Sequence, residues 1–153
     1  MKAEFNTNIQ KILFCTDFAE DANDAFDVAI STAQAFNLNT IHLLHTIPEP
    51  DAQYWKSYIY EVDENVDSKA KHDVDEKIKE SYMSKLPDNV KLQVNVKIGK
   101  DYMAILEFAQ ENNIDMLIIG KSTRSSFQSS WLGDAIKKIV RKAPCPVLIV
   151  PQR

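Results

Sequence analysis

Glycine is scarce in this chain of 153 residues: only Gly99, Gly120 and Gly133 occur. No G-x-G-x-x-G is present, which excludes a dinucleotide-binding fingerprint. The two cysteines, Cys15 and Cys145, stand far apart. They form neither a disulfide framework nor a zinc pattern, and each lies in an apolar run where a small buried thiol is expected. Neither sign of charge is in large excess, with 18 Lys and Arg against 22 Asp and Glu and a net charge of −4. Bulk charge gives no reason to expect nucleic acid or a membrane surface as a partner. No apolar run approaches the roughly 20 residues of a membrane span. The opening MKAEFNTNIQ holds no apolar signal core. A cytoplasmic setting is the expectation. The length and the 44% apolar content predict a single domain over residues 1–153 with a core of its own.

What is present is an alternation of apolar runs and helical periods. Ile12-Leu13-Phe14-Cys15 reads as a buried strand, and Ala22, Ala25, Phe26, Ala29, Ala33 and Phe36 then recur at helix spacing. IHLLHTI, residues 41–47, is a second strand closed by Pro48 and Pro50. His42 and His45 are read as sharing one face of it, packed there rather than bound to metal, since no third ligand is in view. Val62, Val66, Ala70, Val74 and Ile78 step by four through a charged stretch, the mark of a long amphipathic helix. LQVNVKI, residues 92–98, alternates as a strand does. Tyr102, Ile105, Leu106 and Ala109 mark a short helix, and Met116-Leu117-Ile118-Ile119 a wholly apolar strand. Leu132, Ala135, Ile136, Ile139 and Val140 give a further helix stripe before a last strand, Val147-Leu148-Ile149-Val150. The order β-α-β-α-β-α-β-α-β predicts an α/β fold: a doubly wound, mostly parallel five-stranded sheet, Rossmann-like, with helices on both faces. Residues 48–57 form a long loop, made aromatic with its flank by Tyr54, Trp55 and Tyr58. It reads as packing against the long helix or as a lid or partner surface.

One stretch, GKSTRSSFQSSWLGD at 120–134, imitates a phosphate-binding P-loop. The imitation fails, because a Walker motif needs glycine five residues before Gly120 and that position is Asp115. Its position is still suggestive, since loops leaving the carboxyl ends of strands carry the ligands of doubly wound sheets. Ser122, Ser125, Ser126, Ser129 and Ser130 make it hydroxyl-rich, which fits a polar loop, phosphate contacts or phosphorylation. A phosphorelay receiver is excluded, since the third strand ends Ile98-Gly99-Lys100 without a phosphoacceptor aspartate. No signature pairs a nucleophile with a histidine, and the chain is read as not an enzyme.

With these segments in place, the chain resembles the universal stress protein family. The likeness runs through KILFCTDFAEDANDAF, IHLLHTI, IGKDYMAILEFAQENNIDMLIIG and LGDAIKKIVRKAPCPVLIVP. It implies an adenine-nucleotide pocket with an address in this sequence. Nucleotide-binding members of the family carry Gly-x2-Gly-x9-Gly-(Ser/Thr) after the fourth strand. Here the first glycine matches Gly120 and the third Gly133, with Lys121, Ser122 and Arg124 between them. Thr123 replaces the second glycine, Asp134 replaces the Ser/Thr, and Ser126 stands where glycine is frequent. The family's Thr-Asp pair on the first strand matches Thr16-Asp17, with Cys15 where proline is frequent. Thr46, after His45, stands where the family has a small apolar residue beside adenine. Asp17 reads either as an adenosine contact or as a cap of the next helix.

The departures act against phosphate. Threonine is a poor occupant of a positive-φ position, and a carboxylate can only accept hydrogen bonds. Two unit charges about 4 Å apart repel by roughly 4 kcal/mol at an effective dielectric near 20, about a thousandfold in affinity. Asp134 also reads as an ordinary first-turn acid of a helix starting near Leu132-Gly133. The expectation is a non-enzymatic stress-response regulator with weakened or lost ATP binding and no certain cofactor. ATP or AMP with magnesium is the alternative, as a nucleotide-driven switch; an ATP hydrolase is the weaker one. A homodimer is expected through the last strand, Val147 to Val150, whose uncharged edge would otherwise stand open. The resemblance implies the same pairing, and leaves room for an unnamed protein partner.

Overall fold

The alternation read from the sequence closes into one parallel sheet. The computed structural model describes residues 7–16, 21–47, 65–98, 101–121 and 129–151. Its strands are β1 (Ile12–Thr16), β2 (Thr40–Ile47), β3 (Lys91–Ile98), β4 (Met116–Lys121) and β5 (Val147–Pro151). The helices between them are α1 (Asp21–Ala35), α2 (Asn65–Ser81), α3 (Asp101–Glu111) and α4 (Ser129–Lys142), with a 3-10 turn at Met83–Lys85. The strand order is β3-β2-β1-β4-β5, every pairing parallel. This is the doubly wound α/β arrangement expected from the pattern.

Strand β1 lies at the centre and is buried along its whole length. Ile12 and Phe14 enter the core on one face, with Ala25, Phe26, Ala29 and Ala33 of α1 and Ile78 of α2. Leu13 and Cys15 enter the core on the other, with Ile105, Phe108 and Ala109 of α3 and Ile139 of α4. Three alanines at four-residue spacing let α1 lie close to the sheet. One carboxylate ties the feet of two central strands together: Asp115 Oδ2 accepts the amides of Gln10 and Lys11, each at 2.9 Å.

Two expected core residues lie outside it. Phe36 is 43% exposed, because α1 ends at Ala35 and the chain turns there. Val140 is 54% exposed, while Ala135 and Ile139 take the buried stripe of α4. Val62, the aromatic residues Tyr54, Trp55 and Tyr58, and Gly99 fall outside the described residues.

The shortage of glycine has a visible consequence at two helix ends. Asn37 and Asn113 adopt positive φ, 57° and 52°. In each case the following amide reaches back five residues, Leu38 to the Ala33 carbonyl at 2.7 Å and Ile114 to that of Ala109 at 2.9 Å. These are Schellman closures with asparagine where glycine is usual, and the residue after each is apolar and packs inward. Asparagine tolerates the left-handed region better than other residues bearing a Cβ. Asn113→Ala should therefore cost about 1 kcal/mol in urea unfolding, while Asn113→Gly should hold or raise stability.

Candidate functional site

The carboxyl ends of β2, β1 and β4 lie side by side. From β1 the chain passes to α1 on one face, and from β4 to α4 on the other. That divergence makes the crevice where doubly wound sheets hold ligands.

At the centre of this edge is Thr16, the last residue of β1 and only 4% exposed. Its hydroxyl hydrogen-bonds the hydroxyl of Tyr82, itself fully buried. The Tyr82 ring is held by Phe26, centroids 4.5 Å apart, and meets Phe14 edge-on at 5.6 Å. His45 Nδ1 donates to the Thr16 carbonyl at 3.1 Å. A carbonyl only accepts, so this contact places a proton on Nδ1. Side chains from β2 and from the end of α2 thus fix the terminus of the central strand. The sequence pattern stopped at Ile78; the same four-residue step reaches Tyr82 and would have found it.

His42 and His45 do not share a face. They are three residues apart, and strand side chains alternate with period two. His45 pairs in register with Thr16 and His42 with Leu13, so the two rings lie on opposite faces. Burial, and secondarily the charge of Lys11, lower the His42 pKa below its ordinary 6.5, so its imidazole is neutral near pH 7. Among the described residues, no three His, Cys, Asp or Glu side chains come together as metal ligands.

The other sequence candidates fall into three groups. Cys15, Thr16, Thr46 and Gly120 come to this edge of the sheet. Thr46 is half-buried opposite Lys97. Cys15 packs with Leu44 and Ile119, and burial, then the neighbouring Cys145, push its thiol far above the usual range. Cys145 belongs to the same core face and is pushed up to about 11, chiefly by burial. Both thiols are free. Gly120 lies inside β4 opposite Val150 rather than just beyond the strand, and Lys121 ends β4 opposite Pro151.

Asp17, Ser122, Thr123 and Arg124 form the second group and lie outside the described residues. Gly133 and Asp134 form the third. Helix α4 starts at Ser129, not near Leu132-Gly133, and no acid occupies its first turn. Asp134 is therefore a residue of the second turn. In α-helical geometry the amides at 133 and 134 bond to carbonyls four residues back and are no longer free donors.

The universal stress protein family model matches residues 8–151. The chain belongs to this family. Universal stress protein MJ0577 of Methanocaldococcus jannaschii is 24% identical, with 94% of this chain and 96% of that protein covered. UspA of Lactobacillus plantarum shares the fold at a TM-score of 0.70 and 20% identity, over 95% of this chain and 99% of its own. A universal stress protein of Archaeoglobus fulgidus, solved in complex with dAMP, matches at 0.61 and 14% identity, over 94% and 99%.

The Thr16–Tyr82 hydrogen bond should be measurable as a coupling. Thr16→Val and Tyr82→Phe each strip a buried hydroxyl of this partner, at a cost of about 1–3 kcal/mol. The double variant should cost less than the two singles together by about 1 kcal/mol in denaturant unfolding. Strict additivity would show that the two hydroxyls contribute independently.

Proposed function

We propose that this universal stress protein is a non-enzymatic regulatory homodimer whose nucleotide pocket has lost most of its hold on phosphate. The observation that carries the reading is the pair Thr123 and Asp134, where nucleotide-binding relatives have Gly and Ser/Thr. Thr123 brings a β-branched side chain to a loop that elsewhere uses glycine, and Asp134 brings a negative charge. The early start of α4 supports the same reading, because it engages the amides at 133 and 134 within the helix. The pocket address proposed is Cys15, Thr16, Asp17 and Thr46 on one side and Gly120 to Arg124 with Gly133 and Asp134 on the other.

The alternative is a working adenine-nucleotide switch. What favours it is the Archaeoglobus fulgidus relative, solved with dAMP on the same fold. Calorimetry with ATP and magnesium separates the two readings. Weak or undetectable binding is expected, and a micromolar dissociation constant would overturn the loss of phosphate binding. Thr123→Gly with Asp134→Ser should then raise the affinity by tenfold or more, on the order of 1.4 kcal/mol.

Dimerisation through β5 has separate support. β5 is an edge strand, uncharged, with Leu148 37% exposed. A shallow groove of about 380 Å³ runs beside it, lined by Val140, Ala143, Pro146, Val147 and Ile149. Pairing this edge antiparallel with its copy across a two-fold axis would cover both features. Sedimentation at micromolar concentration should show a dimer, and Leu148→Lys should shift it toward monomer; a monomeric wild type would refute the pairing.

A further inference from the structure

We infer that the outer face of α4 is a docking surface for a short acidic segment of a partner protein. Lys137, Lys138, Arg141 and Lys142 are all exposed there. They occupy positions i, i+1, i+4 and i+5, so Lys137 and Arg141, Lys138 and Arg141, and Lys138 and Lys142 are near neighbours on the helix surface. The four span about 8 Å along the axis at 1.5 Å per residue. No carboxylate answers them in an ion pair among the described residues. Lys138 Nζ stands over the Tyr102 ring, 4.5 Å from its centroid. Glu111, on the neighbouring α3, is taken by Lys97 of β3 at 3.6 Å.

The helix dipole accounts for only part of this arrangement. Cations in a last turn are favoured by the negative end of the helix, which covers Arg141 and Lys142. Lys137 and Lys138 lie a turn earlier, and each stands four residues from a second cation, an arrangement that opposes helix formation. Within α4 the four cations face a single acid, Asp134, in a chain whose net charge is −4. The patch is thus a local reversal of the molecule's sign.

Charge and size together select the occupant. A nucleic acid or an anionic membrane extends its charge well beyond 8 Å, to meet a molecule that is acidic elsewhere. Glu107 and Glu111, for example, stand exposed on α3, on the same side of the sheet as α4. A segment with three or four carboxylates matches the quartet and goes no further. Val140 lines the groove beside β5 that the proposed dimer would cover, so the docking surface is the quartet alone and the segment is defined by its carboxylates. Nothing in this inference depends on the nucleotide pocket.

The test uses the full chain and a fluorescent peptide built of alternating pairs of glutamate and glycine. Anisotropy at low salt should show saturable binding that weakens as salt is raised. Lys137→Gln with Arg141→Gln should weaken it about threefold, and Lys137→Glu with Arg141→Glu about tenfold. All four positions are exposed, so unchanged circular dichroism and melting should accompany the loss. Equal binding by wild type and the reversed variant would overturn the inference, as would no binding by wild type. A peptide with glutamine for glutamate should not bind. Single-stranded DNA or anionic vesicles binding more tightly than the peptide, through the same residues, would overturn the assignment to an acidic protein segment.

Discussion

Strand β1 has five residues, and all of them are buried, none more than 5% exposed. A strand so enclosed must be apolar on both sides, which ILFC satisfies, and it must end where the sheet meets the crevice. The difficulty falls on that last residue. Thr16 carries a hydroxyl into the core side that holds Phe14 and Phe26, and a buried hydroxyl is costly unless bonded. Tyr82 meets that demand, and in doing so draws the end of α2 onto the central strand. His45 does the same for the Thr16 carbonyl from β2. The next residue in sequence is Asp17, the candidate adenosine contact. The geometry of any ligand site at this crevice thus begins from a strand end fixed on two sides by polar contacts inside an apolar core.

The architecture was legible because burial on both faces leaves a coarse signal. Runs such as MLII and VLIV can be read without side-chain detail, and helices with two-sided patterns fill the gaps between them. Finer statements depended on phase. Reading His42 and His45 as one face ignored the two-residue period of a strand, and the register with Leu13 and Thr16 corrects it. Counting Phe36 and Val140 into apolar stripes ignored where each helix ends and how wide its buried face is. Tyr82 was missed for a different reason. The four-residue step that includes it passes from α2 into the following turn, and nothing in the sequence announces that its hydroxyl will find one sixty-six residues away.

The candidate pocket was legible only as an address. The positions at strand ends, Cys15, Thr16, Thr46 and Gly120, are fixed by the sheet and come together as the topology requires. Gly133 and Asp134 depend on a helix start, and helix starts are set by local competition among capping residues. A run of serines can begin the helix at several points, so a position that reads as first-turn in sequence becomes a second-turn residue in space.

That shift changes what Asp134 can do. At a helix N-terminus, a carboxylate would occupy the favourable field that a phosphate seeks, and the two would compete directly. One turn inside, the dipole's contribution fades, and the direct charge–charge repulsion is what remains. The repulsion is long-ranged in a partly dry crevice and screened in an open one. Thr123 acts by sterics, which are short-ranged and indifferent to salt. On the proposed reading, the two substitutions would weaken phosphate binding by mechanisms that ionic strength separates. If Asp134 dominates, raising salt recovers part of the affinity; if Thr123 dominates, salt recovers none. Along its sequence, helix α4 carries a single acid in its second turn and four cations in its last six residues. A bound anion at one end and an acidic partner at the other would thus meet opposite signs on the same helix.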